Sequence, residues 1–297
     1  MKKIIETIKF CMDNKRIPVI AGPTASGKSD LAYSLAERFE IEIISADSRQ
    51  IYKYLDIGTA KPSVDILKKI SHKLISVINP DERYSAAQFA ETASLYISEI
   101  FCKKRLPVIV GGTGLYIKAL FDGMFECPEK NDDLRRALEK KSNSELFDYL
   151  NKIDPESCVK ININDKKRIV RAIEVFETTG ESISKLKTAT SPATEFKPFY
   201  FIMERDRKDL YNRINCRAEK MIKNGWIEET QNILNMGFQK NCPAFEGLGY
   251  KDIIEYLDKK QELPQTIENI KMFTRRYAKR QMIWFRGQVK PDIILTL

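Results

Sequence analysis

The eight residues Gly22-Pro23-Thr24-Ala25-Ser26-Gly27-Lys28-Ser29 constrain this chain more than any other stretch. They fit G-x-x-x-x-G-K-[ST] and follow the β-rich apolar run 17–21. After them, Leu31, Leu35 and Phe39 repeat at i, i+4, i+8, as on one face of an amphipathic helix. In a strand, loop and helix so arranged, successive backbone N–H groups form an anion-binding nest and the helix N-terminus adds its dipole. Lys28 adds a full charge, and Ser29 can ligand Mg²⁺. The loop is expected to hold a diphosphate or a triphosphate, and the motif leaves open which phosphorylated compound that is.

Further apolar runs at 41–46, 74–78 and 106–110 alternate with helical patterns. Continuous apolar strands separated by helices predict an α/β fold with a P-loop, doubly wound parallel-sheet core. Ligands of such sheets bind beyond the carboxyl ends of the strands. A fifth strand is expected at 198–203. Between Met124 and Thr194 the patterns are helical, with a charged opening at 132–141, a helix from Asp165 ending at Gly180, and a Ser/Thr/Pro-rich close at 188–198. The expected organisation is a core of 1–123 and 197–297 with an inserted all-helical domain at 124–196. After the fifth strand the chain reads as helical to Gly287.

Composition narrows the chemistry. With 43% hydrophobic residues the chain has too much apolar material for disorder. Cys11, Cys102, Cys127, Cys158, Cys216 and Cys242 are scattered with no C-x-x-C, which argues against a zinc ribbon or a redox pair and predicts buried reduced thiols. His72 is the only histidine, so a mechanism that needs two imidazoles is excluded. The N-terminus does not read as a secretory signal, and no stretch approaches the roughly 18 apolar residues of a membrane span. A cytoplasmic protein is expected, and nothing requires more than a monomer.

At the end of the second apolar run stands Asp47-Ser48-Arg49-Gln50-Ile51-Tyr52. Asp47 can be a Walker-B-like acid near Mg²⁺, a general base, or a helix N-cap. The fourth run enters Gly111-Gly112-Thr113-Gly114-Leu115-Tyr116, where the glycines let a ligand or another backbone approach and Thr113 offers a hydroxyl. Fifty Lys and Arg against 41 Asp and Glu give a net charge of +9. In the helix from Asp165, Lys167, Arg168 and Arg171 share one arc opposite Ile169, Ile173 and Phe176. Arg213, Arg217 and Lys220 repeat at i, i+4, i+7. Residues 271–290 hold seven Lys or Arg and no acid, with Ile270, Phe273, Tyr277 and Trp284 on one side, expected in the core, and Arg275, Lys279 and Arg286 on the other.

In this order and placement the motifs G-P-T-A-S-G-K-S, D-S-R-Q-I-Y, I-G-T-A-K-P and G-G-T-G-L-Y resemble the tRNA dimethylallyltransferase (tRNA isopentenyltransferase) family. The likeness continues through 165–176, 247–252 and 279–286. It implies transfer of a dimethylallyl group from dimethylallyl diphosphate to N6 of the adenosine just 3′ of the anticodon (position 37) of tRNA, with Mg²⁺. The loop Gly22 to Ser29 would grip the diphosphate, Asp47 would be the base, Thr113 would sit across the crevice, and Arg217 would help to hold diphosphate. The resemblance also implies tRNA contacts from Asp47, Ser48, Arg49, Gln50, Thr113 and Arg135, and from Lys167, Arg168, Ile169, Val170 and Arg171. Further contacts are implied for Glu246, Gly247, Leu248, Gly249, Tyr250 and Lys251, and for Lys279, Arg280 and Arg286. Two positions depart from the family pattern: Lys167 stands where Gln is frequent, and Ile283 replaces Thr. Competing readings are a P-loop kinase or ATPase, which would bind ATP in the loop, a transferase that prenylates free AMP, ADP or ATP, and an RNA-binding protein without catalysis.

Overall fold

A computed structural model of the chain describes residues 2–125, 128, 131–188 and 190–297. By internal contacts the chain divides into two compact units, 1–121 with 193–297 and 122–192, where the sequence reading sets the insert at 124–196.

The first unit opens with α1 (Lys2–Asp13), β1 (Ile17–Ala21), α2 (Lys28–Ala36), β2 (Ile41–Ala46), α3 (Val64–Lys69), β3 (His72–Lys73), α4 (Ala86–Cys102), β4 (Leu106–Gly111) and α5 (Gly114–Asp122). The second unit holds α6 (Asp132–Glu139), α7 (Asn143–Ile153), α8 (Pro155–Lys160), α9 (Lys166–Thr179) and α10 (Ile183–Thr188). The chain then returns to the first unit through β5 (Pro198–Glu204), α11 (Arg207–Lys223), α12 (Trp226–Asn235), a 3₁₀ turn at Pro243–Glu246, α13 (Tyr250–Leu257), α14 (Leu263–Gln288) and β6 (Ile293–Thr296).

The six strands form one parallel sheet in the order β3-β2-β4-β1-β5-β6, the α/β class expected. β1, β2 and β4 are buried along their whole length, which is why they read as continuous apolar runs. Ile20, Ile43, Val108, Phe201 and Met203 meet Ile8 and Cys11 of α1 and Leu35 of α2 in one buried cluster. Ile44 and Ile109, alternate residues on the strands, are buried as well.

The third strand is shorter and earlier than the run 74–78 predicts. β3 pairs His72 and Lys73 with Ile43 and Ile44, and Ile78 makes only an isolated bridge to Tyr52. Leu74 and Ser76 have φ of 62° and 54°, left-handed values that break a strand. The sequence reading also lacked α1 and β6. Of the cysteines, Cys11 and Cys242 are buried, Cys158 is half-buried, Cys102 and Cys216 are exposed, and Cys127 lies outside the described residues. The expectation of uniformly buried thiols is thus corrected at Cys102 and Cys216. Among the described residues no helix is long and apolar enough to cross a membrane.

The described residues of the second unit are helical and pack around Leu146, Leu150, Ile169 and Ile173. Its charged centre is Glu174, fully buried, which accepts Arg135 Nε and Nη2 at 2.8 and 2.7 Å, the Asn131 amide at 2.8 Å, and Arg171. Burial alone would raise the Glu174 carboxyl, and these donors outweigh it and hold it at about 2. A folded-state value below the usual 4.5 stabilises the fold above that pH, and the stabilisation is lost as the pH falls from there towards 2. Glu174→Gln should lower the stability of this unit by about 1–3 kcal/mol at neutral pH. It should also flatten the acid limb of the denaturant midpoint plotted against pH, because the titrating group is gone.

Candidate active site

A cavity of about 750 Å³ opens where β1, β2 and β4 end. Its walls include the loop Thr24 to Ser29, the turn Asp47 to Gln50, Gly58 to Ala60, one face of α11, the segment Glu246 to Leu248, and Tyr277, Arg280 and Gln281 of α14.

The loop between β1 and α2 can take its path only with special backbone angles. Gly22, Ala25 and Gly27 have φ of 147°, 62° and 98°, and a Cβ on Gly22 would come within 2.7 Å of the Met203 carbonyl. Lys28 Nζ donates to the carbonyls of Gly22 (3.0 Å) and Pro23 (2.6 Å). Burial lowers the Lys28 ammonium to about 8, with Asp47 opposing the shift and Arg217 adding to it. Ser26 is fully buried, and its hydroxyl has no hydrogen-bond partner among the described residues.

Asp47 follows β2 directly. Its Oδ1 accepts the amides of Arg49 (2.8 Å) and Gln50 (3.4 Å), so the turn that carries the carboxylate also orients it. Asp47 lines the same cavity as Lys28 and Arg217, near enough for its charge to favour the protonated form of both. Burial lowers the Arg217 guanidinium, and Asp47 counters that shift. Arg213 closes the loop from the other side, donating Nε to the Ala25 carbonyl at 3.0 Å.

Thr113 hydrogen-bonds Tyr277, which lines the cavity. Its Oγ1 accepts the Ser48 amide at 3.0 Å and its own amide donates to Ala46 at 3.1 Å, so it ties the ends of β2 and β4 together beneath Asp47. The glycines around it make room for the protein itself. A Cβ on Gly111 would lie 2.1 Å from the Ala46 carbonyl, one on Gly112 2.2 Å from Gln281 Nε2, and one on Gly114 2.3 Å from the Trp284 ring.

Gln281 and Tyr277 were not singled out for the site by the sequence. Gln281 is buried, accepts the Thr24 amide at 2.8 Å and donates to the Gly112 carbonyl at 2.8 Å, so α14 braces both loops. Tyr277, expected in the core, lines the cavity instead; burial and then the nearby Asp47 push its phenol up to about 12. Their helical spacing from Arg280 and Thr274 was visible, but the facing loops were not.

A second brace holds the opposite wall. Glu229 accepts the amides of Asp56 (2.7 Å), Ile57 (2.6 Å) and Gly58 (3.2 Å) together with the Tyr250 hydroxyl (2.8 Å). The carbonyls of Thr59 and Ala60 then take the Gln50 amide, each at 3.2 Å, while Gln50 Oε1 accepts Ser45. Gln50, expected as an RNA contact, therefore spends its amide group on a strut. Gly58 lies against this wall, and a Cβ there would sit 2.0 Å from Trp226 Nε1 and 2.5 Å from the Tyr250 hydroxyl. Gly58→Ala should cost about 1–3 kcal/mol of stability, read as a lower denaturant midpoint.

The residues expected to meet RNA fall into distinct groups. Ser48, Arg49, Glu246, Gly247, Leu248 and Arg280 line the cavity. Lys167, Arg168, Lys251, Lys279 and Arg286 are exposed, Arg286 with its Nε 3.1 Å from Glu204. Arg135 and Arg171 face Glu174. Ile169 and Val170 are corrected to core positions, since their side chains lie in the apolar centre of the helical unit. Tyr250 is likewise buried, and Gly249 leaves space for the Trp226 ring.

A parallel α/β sheet whose first loop has the G-x-x-x-x-G-K-[ST] pattern, with an aspartate lining the same cavity as that loop's lysine, has the features of proteins that bind a polyphosphate and act on it. Comparison with known proteins narrows the class. The IPP transferase family model matches residues 50–288, and that of isopentenyl transferases matches 15–78. A tRNA dimethylallyltransferase of Alkaliphilus oremlandii is 46% identical over 277 residues, covering 92% of this chain and 88% of the relative. One from Endomicrobium trichonymphae is 46% identical over 283 residues, covering 93% of each. The crystal structure of the tRNA isopentenylpyrophosphate transferase of Bacillus halodurans is 34% identical with a TM-score of 0.67, over 95% of this chain and 89% of that one. A eukaryotic dimethylallyltransferase solved acting on tRNA is 27% identical with a TM-score of 0.80, over 95% and 73%. The chain belongs to the tRNA dimethylallyltransferase family of tRNA-modifying prenyltransferases.

Proposed function

We propose that this enzyme transfers a dimethylallyl group from dimethylallyl diphosphate to N6 of the adenosine 3′ of the anticodon (position 37) in tRNA, releasing diphosphate. The observation that carries the reading, beside family membership, is that Asp47, Lys28 and Arg217 line one cavity within reach of one another's charge. As the allylic C–O bond breaks, negative charge accumulates on the diphosphate. In this reading the loop amides, Lys28, Arg217 and the Ser26 hydroxyl stabilise it. The exocyclic amine of adenine is a poor nucleophile, because its lone pair is delocalised into the ring. Asp47 takes its proton as N6 bonds to the allyl carbon, so the amine gains the carbon and loses the proton while the diphosphate leaves with the bonding electrons.

The Ser29 hydroxyl and the nearby Asp30 and Asp47 carboxylates are hard oxygen donors of the kind Mg²⁺ takes. Among the described residues no group of three or more His, Cys, Asp or Glu could cage an ion, which suits a Mg²⁺ held by one or two side chains and the substrate's own phosphates. Bound there, Mg²⁺ would neutralise charge on the leaving diphosphate.

The target base must leave its stack to reach Asp47, which costs a few kcal/mol and less in a loop than in a duplex. Tyr277, Arg49, Leu248 and the wall at Gly58 to Ala60 surround the place it would occupy. Lys279 and Arg286 in the first unit are exposed cations for RNA phosphates, and Lys167 and Arg168 are exposed cations of the second unit taken by itself. The protein works in this reading as a cytoplasmic monomer. Labelled dimethylallyl diphosphate offered with either an anticodon stem-loop or AMP tests the acceptor: the label should enter the RNA. Label in AMP alone would replace this reading with that of a free-nucleotide prenyltransferase.

A further inference from the structure

The wall built by α11 and α14 carries more than cations. On α11, Arg213, Arg217 and Lys220 line the cavity at i, i+4, i+7, and so do Ile214, Ala218 and Met221, the same spacing moved round the helix by one residue, about 100°. On α14, Ile270 and Thr274 line the same cavity. Thr274 donates its hydroxyl to the Ile270 carbonyl at 2.7 Å, so its methyl is the part left without a polar demand. The two helices are antiparallel, because Asn215 meets Arg275 at 2.6 Å and Glu219 meets Lys271 at 2.6 Å. Ile214 therefore lies at the phosphate-loop end, packed with Ala25 in one cluster, and Met221 and Ile270 lie at the other end, about 10 Å along the helix.

An anionic headgroup by itself would need only the cationic stripe. An apolar stripe that starts beside those cations and runs away from the loop matches a ligand with a diphosphate head and a short hydrocarbon tail. A dimethylallyl tail is about one helical turn long, so from the loop it reaches Ala218 and Thr274 and stops short of the end. We infer that Ile214, Ala218 and Thr274 flank the donor's prenyl tail, and that Met221 and Ile270 close the groove beyond it and so set the prenyl length that the enzyme accepts. The inference rests on the proposed reaction and adds the residues that discriminate among donors.

The test compares dimethylallyl and geranyl diphosphate as donors to tRNA, with inorganic diphosphate binding as a readout of folding and of the headgroup site. Met221→Ala, alone and with Ile270→Ala, should raise the geranyl-to-dimethylallyl ratio of kcat/KM by about tenfold or more, the discrimination that one or two methylenes provide. Ala218→Leu, which fills the groove from the side, should raise KM for dimethylallyl diphosphate by a similar factor. In all three, inorganic diphosphate should bind as in the wild type. A wild-type ratio in the Met221 variants together with a wild-type KM in Ala218→Leu would overturn the inference and leave the reaction standing. A wild-type enzyme that prenylates nothing would overturn the reaction, and the inference with it.

Discussion

Asp47→Asn is expected to slow prenyl transfer by about 10²–10⁴-fold, the range over which a general base acts, and to leave tRNA affinity within about twofold, as for a substitution that disturbs no packing. The separation follows from the geometry. Asp47 uses Oδ1 to accept the amides of Arg49 and Gln50, and an asparagine carbonyl accepts them equally well, so the turn persists. What asparagine lacks is the ability to take the proton from N6. Single-turnover rates with saturating donor, read beside filter binding of tRNA, check both halves. A large binding defect would make Asp47 a structural residue, and an unchanged rate would place the base elsewhere.

Lys28 should show the second large effect, and it has a pH signature. In the free protein burial holds its ammonium at about 8, well below the usual 10.5. A bound diphosphate favours the charged form and raises that value. Below about pH 8 the lysine is already charged, so it adds no pH dependence of its own to diphosphate affinity. Above that pH the free site is neutral and binding must take up a proton, so Kd for inorganic diphosphate should rise about tenfold per pH unit until the pKa of the complex is reached. Lys28→Met should abolish that slope and reduce kcat by about 10²–10³-fold, as removing one preorganised charge stabiliser does. Titration calorimetry from pH 7 to 10 on both proteins checks the slope, and an identical slope in the variant would assign the proton to another group.

Much of this site could be read from the chain because its strands are buried on both faces and its loops carry local constraints. β1, β2, β4 and β5 appear as continuous apolar runs, and the loop at Gly22 to Ser29 announces itself by glycines whose φ values few other residues adopt. The third strand misled because its apolar residues 74–78 belong to a segment kinked at Leu74 and Ser76, and β3 itself is the polar pair His72 and Lys73. β6 and α1 were missed for a related reason: β6 is a short edge strand with alternating exposure, and α1 buries only Ile8 and Cys11 fully.

Roles that depend on long-range partners could not be read at all. Gln281 has no helical peculiarity until Thr24 and Gly112, far off in sequence, are seen to face its two amide ends. The glycines of 111–114 gave the right warning of a close approach without saying to what, and the answer is Ala46, Gln281 and Trp284. Arg171 reads as part of a cationic arc because the pattern does not show that Glu174, three residues on, is fully buried and also takes Arg135 from another helix. The net charge of +9 therefore overstates the cations that are free of internal partners.

In the proposed reaction one cavity joins a diphosphate-binding loop to a base that activates an RNA amine. The reaction's most direct test is nucleoside analysis of tRNA after incubation with labelled dimethylallyl diphosphate and Mg²⁺. The label is predicted to appear as N6-(dimethylallyl)adenosine at the single adenosine 3′ of the anticodon and to vanish with Asp47→Asn. Unlabelled tRNA, accompanied by turnover of ATP, would contradict it.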